Sequence, residues 1–171
     1  MKRLIFTIIC LLAFSCKKQT SLTIGQNYEG GVIFYIDASG MHGLVAAPAD
    51  QSVAIQWYNG HYLKTNTIGG AVGIGLSNTA TIVAAQGTGT YAASLCDQLT
   101  LNGYSDWFLP ARNELDLLFQ HKDLVGGFTN DYYWTSQEYD TLRAWNQYFP
   151  HGSVFYKDKA SKACVRAIRQ F

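Results

Sequence analysis

Three kinds of hydrophobic pattern follow one another along this chain. Residues 4–14 run apolar apart from Thr7 and Cys10, a stretch too short to span a bilayer as a stable helix. From Tyr28 onward the apolar runs are brief and rich in β-branched and aromatic residues. Residues 30–37 and 42–47, separated by Ser39-Gly40, predict a hairpin. Residues 55–58 and 61–63 flank Asn59-Gly60 and predict another, because Asn-Gly suits the left-handed two-residue turn. A Gly-, Ala- and Thr-rich stretch over 69–90 reads as a loop leading into a helix near Ser77-Asn78 that carries Ile82, Val83 and Ala85. A second helix is expected over 91–101, stopped by Asn102-Gly103. A third follows Pro110, with Leu115, Leu118 and Phe119 on one face, and ends at Gly126-Gly127. The remainder alternates, so residues 132–139, 142–149, 153–156 and 163–168 predict short antiparallel strands. The fold class expected is therefore α+β, one domain with two or three helices. Trp107 and Trp134, in the most strand-like apolar contexts, are expected in its core.

The N-terminus bears on compartment. Lys2 and Arg3 precede the first apolar run, which stops at Ser15-Cys16 before Lys17 and Lys18. This is the layout of an export signal. A cysteine after small residues (Ala13, Ser15) suits a lipoprotein signal, in which the thiol receives diacylglycerol before cleavage. We expect residues 1–15 to be removed, Cys16 to be lipidated, residues 16–27 to act as a spacer and residues 28–171 to form the domain. An ordinary secretory signal cleaved nearby is the alternative. Each buried methylene of such an anchor contributes about 0.8 kcal/mol, and several chains hold a protein stably. The expected location is the cell envelope, anchored to the outer membrane and facing the periplasm or the surface. Without Lys2 and Arg3 the 13 basic side chains become 11, against 12 acidic. That balance weighs against a nucleic-acid partner. Cys96 and Cys164 remain in the domain. In an oxidising compartment an even pair reads as a disulfide, worth about 4 kcal/mol across so long a loop; two buried thiols are the alternative.

Signs of catalysis are few. His42, His61, His121 and His151 stand far apart, without metal-ligand spacing, and there is no Gly-x-Ser-x-Gly elbow. Gly69, Gly70, Gly73 and Gly75 lack the Gly-Lys-Ser/Thr of a phosphate-binding loop. We expect no enzyme activity, no metal and no cofactor. Arg166 and Arg169 sit in an otherwise small and apolar strand, where a guanidinium needs a carboxylate. Glu114 and Asp106 are the natural partners, and a structural ion pair is expected among these four. Aromatic residues beside polar ones at turns are the candidate ligand contacts: Trp57, Tyr58, His61, Tyr62, Trp145, Asn146 and Tyr148. The competing reading is that they close the core.

Several segments together carry a resemblance. Asp106-Trp107-Phe108-Leu109-Pro110 with Glu114-Leu115 is preceded by Gly30-Gly31-Val32-Ile33-Phe34-Tyr35, by Gly75 with Asn78-Thr79, and by Cys96. It is followed by Tyr133-Trp134-Thr135-Ser136 and Val165-Arg166-Ala167-Ile168-Arg169. In this order, over residues 28–170, the chain resembles a bacterial family named for the C-terminal domain of a collagen-like adhesin, the Lcl C-terminal domain. That family looks like a distant relative of C-type-lectin-like and sulfatase-modifying domains. The resemblance implies a lectin-like mixed fold whose N- and C-terminal strands pair, with a helix-to-last-strand disulfide that Cys96 and Cys164 would supply. Trp145-Asn146 is similar to the Trp-Asn-Asp of calcium-dependent lectins, but Gln147 stands at the third position. No calcium site is implied. The reading as a whole is a non-catalytic binding or adhesion module for glycan or protein; the alternatives are a structural or assembly lipoprotein without a small ligand and, ranked below it, a hydrolase with a spatially assembled site.

Overall fold

A computed structural model describes residues 21–171. The expected signal peptide and the lipidated Cys16 lie outside the described residues. The chain builds β1 (Asn27–Tyr28), β2 (Gly31–Ile36), β3 (Gly43–Ala46) and β4 (Ser52–Gln56), then α1 (Gly75–Gln86), α2 (Ala92–Asp97), α3 (Arg112–Gln120) and α4 (Lys122–Val125). It ends with β5 (Tyr132–Glu138), β6 (Arg143–Tyr148), β7 (Ser153–Asp158), β8 (Lys162–Val165) and β9 (Ile168–Gln170). Two sheets result, in the orders β1-β2-β3-β9 and β4-β8-β5-β6-β7. All neighbours are antiparallel except β5 with β8. The C-terminal β9 lies against β3 in the N-terminal sheet.

Local chemistry explains most of these elements, and tertiary contacts explain the departures. The hairpin of β2 and β3 forms where the alternation placed it. The Asn59-Gly60 hairpin does not. Gly60 has the left-handed φ of +86° that such a turn wants, but the Asn59 side chain donates to the carbonyls of Gln86 and Thr88. The chain is thereby tied to the end of α1, and residues 61–63 join no strand. The second helix is shorter than expected, ending at Asp97, because Leu101 and Tyr104 pair across a tight turn at Asn102-Gly103. The expected spacer is shorter too. Leu22 and Ile24 pack on the core and the Gln26 carbonyl accepts from the Ile33 N–H, so the domain begins before Tyr28.

Two apolar clusters fill the interior. One contains Trp57, Trp107, Trp134, Tyr91 and Ile82; the other contains Phe34, Phe108, Leu115, Leu118, Tyr133 and Phe149. Trp107 and Trp134 are buried as expected. The alternating run over 163–168 is two strands, β8 in one sheet and β9 in the other, with Arg166 at the crossing. Its guanidinium meets Asp50 at 2.7 Å and the carbonyls of Ala47, Gly126 and Gly127, and lies 4.0 Å from the Phe128 ring. Five donors in a fixed fork can satisfy this many acceptors at once, which a lysine cannot. Arg166 is thus the clamp that joins the two sheets.

The other expected ion-pair residues divide. Arg169 makes a bidentate pair with Asp106, at 2.7 and 2.9 Å, and also reaches Glu29. That guanidinium holds the Asp106 carboxyl below its usual range. Glu114 pairs with no arginine, so Asp106 and not Glu114 is the acid of the expected pair. Its buried carboxylate accepts the backbone N–H groups of Ala111, at 2.7 Å, and Gly73, at 2.8 Å. It therefore caps α3 at its third position and ties down the glycine loop before α1. Burial raises its pKa against these hydrogen bonds. Cys96 and Cys164 are also a correction. Both are free thiols, and they belong to different clusters. Burial raises both pKa values, that of Cys164 to about 11.

Candidate functional site

Cross-strand register decides which aromatic side chains meet. In the β6–β7 pair, Trp145 faces Tyr156, and Arg143 faces Asp158. Alternation puts these on one side of the sheet and Tyr148, with Phe155 and Lys157, on the other. On the first side, Tyr139 stacks on Tyr156 with centroids 4.1 Å apart and planes 12° apart. Trp145 meets both rings edge-on, at 5.1 and 5.7 Å. The Arg143 guanidinium covers Tyr139 and Tyr156 at 4.8 and 4.7 Å while pairing with Asp140. The first turn of α3 brings Arg112 to 5.2 Å from the Trp145 ring. Tyr139 and Tyr156 are exposed and Trp145 is half-buried. The result is a three-ring surface carrying two cations.

The opposite side of the same hairpin holds a second set of rings. Tyr132 and Tyr148 lie 4.6 Å apart, Phe155 meets Tyr132 at 5.9 Å, and Lys157 Nζ sits 3.4 Å from the Tyr132 centroid. A smaller pair, Tyr58 and Tyr62 at 4.8 Å, joins the end of β7 through the Tyr62 hydroxyl, which donates to Asp158 at 2.6 Å. That bond raises the Tyr62 pKa to about 12.

The candidate contacts expected from sequence are thus scattered. Trp145 is central to the three-ring surface. Tyr148 lies on the other face of its strand, Tyr58 and Tyr62 form their own pair, and His61 is exposed. Trp57 is core: it is fully buried, and its indole N–H donates to the Thr135 carbonyl at 2.8 Å. Asn146 is also buried, between Trp134 and Phe155 in register, and neither amide atom has a partner among the described residues. Gln147, at the place of the lectin aspartate, donates to Asp116 and to the Gly152 carbonyl. Tyr139, Tyr156, Arg143 and Arg112 were not anticipated. The alternation in 153–156 carried a signal for Tyr156, but only the pairing of β6 with β7 brings it to Trp145.

The model of the Lcl C-terminal domain family matches residues 48–169. The chain belongs to this family. No curated protein matches it. Among solved structures it is similar to a fimbrial protein from Bacteroides ovatus ATCC 8483, with a TM-score of 0.53 and 10% identity over 88% of this chain. The match spans 45% of that protein, so this chain covers about half of the neighbour's length. The likeness is one of fold. No helix among the described residues is long and apolar enough to cross a membrane.

Proposed function

We propose that this chain is a lipid-anchored envelope protein whose Lcl C-terminal domain is a non-catalytic adhesion module. In this reading Cys16 holds the protein to the outer membrane, and the Tyr139–Trp145–Tyr156 surface takes a glycan. Family membership and the fold it shares with a fimbrial protein fit a surface or adhesion-type protein. The observation that carries the binding claim is the three-ring surface, with Tyr139 and Tyr156 exposed around a half-buried Trp145, flanked by Arg112 and Arg143. Exposed aromatic faces with fixed neighbours lose little entropy on contact, and sugar rings pack flat against them while guanidinium groups reach hydroxyl or acidic substituents.

A glycan array with the purified protein tests the reading, followed by titration of the best ligand. Trp145→Ala should weaken binding by about 2 kcal/mol, roughly 30-fold in Kd, as for a central aromatic anchor. Arg112→Ala should weaken it less. Unchanged binding by a folded Trp145→Ala variant would remove the site. Mass spectrometry of the mature N-terminus tests the anchor separately, and an unacylated Cys16 would refute it.

A further inference from the structure

A sheet edge presents unpaired backbone groups that recruit another strand unless something blunts it. Three of the four edges among the described residues are blunted. β1 has two residues and β9 has three, so neither offers much of a ladder. The edge strand β4 shifts register between Ser52 and Ile55. The fourth edge, β7, differs on each count. It has six residues, and its register with β6 is uninterrupted from Arg143–Asp158 to Tyr148–Ser153. Val154, Phe155 and Tyr156 in its middle are 37%, 46% and 44% exposed, on both faces of the sheet.

The two charged residues of this strand, Lys157 and Asp158, stand together at its C-terminal end, where both already have partners within the domain although Asp158 stays exposed. Lys157 lies over Tyr132, and Asp158 accepts the Tyr62 hydroxyl and the Ala160 N–H. Residues 153–156 are left uncharged and without proline. We propose that β7 pairs antiparallel with β7 of a second copy about a two-fold axis perpendicular to the sheet. This goes beyond the ligand-binding reading and does not depend on it.

A second copy fits because residues 153–156 of β7 are themselves the uncharged, extended segment such an edge accepts, and a two-fold contact uses one patch twice. An axis perpendicular to the sheet keeps faces matched. Centred on Tyr156, it sets the two Tyr156 rings side by side and Lys157 of each copy beside Phe155 of the other, repeating the Lys157–Tyr132 contact already present. The three-ring surfaces of the two copies then adjoin on one side. With residues 1–15 removed, 11 basic side chains face 12 acidic ones, and so small a net charge offers little repulsion to association.

Disulfide trapping in intact envelopes, with the full chain, tests this. Tyr156→Cys should give a product of twice the chain mass on mild oxidation, severalfold more abundant than with Val53→Cys on the blunted β4 edge. Cys96 and Cys164 are buried and supply the same background in both. Adding Phe155→Lys, at an exposed position, sets two ammonium groups beside each other across the axis and should abolish the product. Equal dimer from Tyr156→Cys and Val53→Cys, or none from either, overturns the proposal. So does a Tyr156→Cys product containing a different protein. Ligand titration of Phe155→Lys alone, which leaves the three rings on the opposite side of the sheet intact, reads the glycan site separately.

Discussion

Lys159 and Glu138 form an ion pair with 0% and 1% side-chain exposure, Nζ to Oε1 at 2.5 Å. Lys159 also donates to the Leu63 carbonyl and lies 4.7 Å from the Trp57 ring. Glu138 in turn accepts the N–H groups of Thr65 and Asn66, both at 2.9 Å. The pair therefore pins the irregular segment after Trp57 to the end of β5. Lys159→Met keeps most of the aliphatic volume but leaves a buried carboxylate without its cation. Removing one partner of a buried pair costs about 3–5 kcal/mol. In a domain this size each 1 kcal/mol moves Tm by about 2–4 °C, so a fall of roughly 6–20 °C is expected. Arg143–Asp140 is the contrast: its side chains are 41% and 37% exposed, and such pairs contribute about 0.2–1 kcal/mol. Urea titration gives the free energies. The double variant Lys159→Met/Glu138→Gln should recover part of the loss, because no buried charge is stranded. Hydrogen exchange should show the Thr65 and Asn66 amides opening first. If Lys159→Met costs no more than an exposed pair, the reasoning is wrong.

Three further outcomes can be checked. Glu114→Gln should destabilise by about 1–3 kcal/mol, since its amide turns a donor toward the Ala111 or Gly73 N–H. Burial raises the pKa of Glu114 above that of an ordinary glutamate, so the stability it confers is full below the ordinary value and falls as pH rises through the raised one. The substitution should therefore cost less at neutral pH than in acid, and a pH-independent cost would contradict this. Trp57→Phe should cost about 1–3 kcal/mol by orphaning the Thr135 carbonyl and opening space in the core. An unchanged urea midpoint would return Trp57 to the surface. Finally, Cys96 and Cys164 should resist alkylation in the native protein and both react once it is unfolded without reductant. Failure of the unfolded protein to react would mean that they are bonded.

The chain's own pattern determined what local physics can settle. Alternation marked β2, β3, β5, β6 and β7, the Leu115–Leu118 stripe marked α3, and apolar context placed Trp107 and Trp134 inside. Need for a counter-ion flagged Arg166 and Arg169 before any partner was known. What alternation lacks is the identity of the neighbour. It says which face of a strand is apolar, not which sheet the strand joins, so 163–168 read as one strand although Arg166 carries it from one sheet to the other. It says that Asn59-Gly60 can turn, not that the Asn59 side chain will be taken by Gln86 and Thr88. Ion-pair partners were equally out of reach, because Asp50 stands 116 residues from Arg166 and only the closed fold brings them together. Trp57 and Trp145 both border polar residues in sequence. One is buried and the other lies in a surface of stacked rings because β5, β6 and β7 converge around Trp145 while the core closes over Trp57. Burial and contact are properties of packed surfaces, and they exist only once distant segments have met.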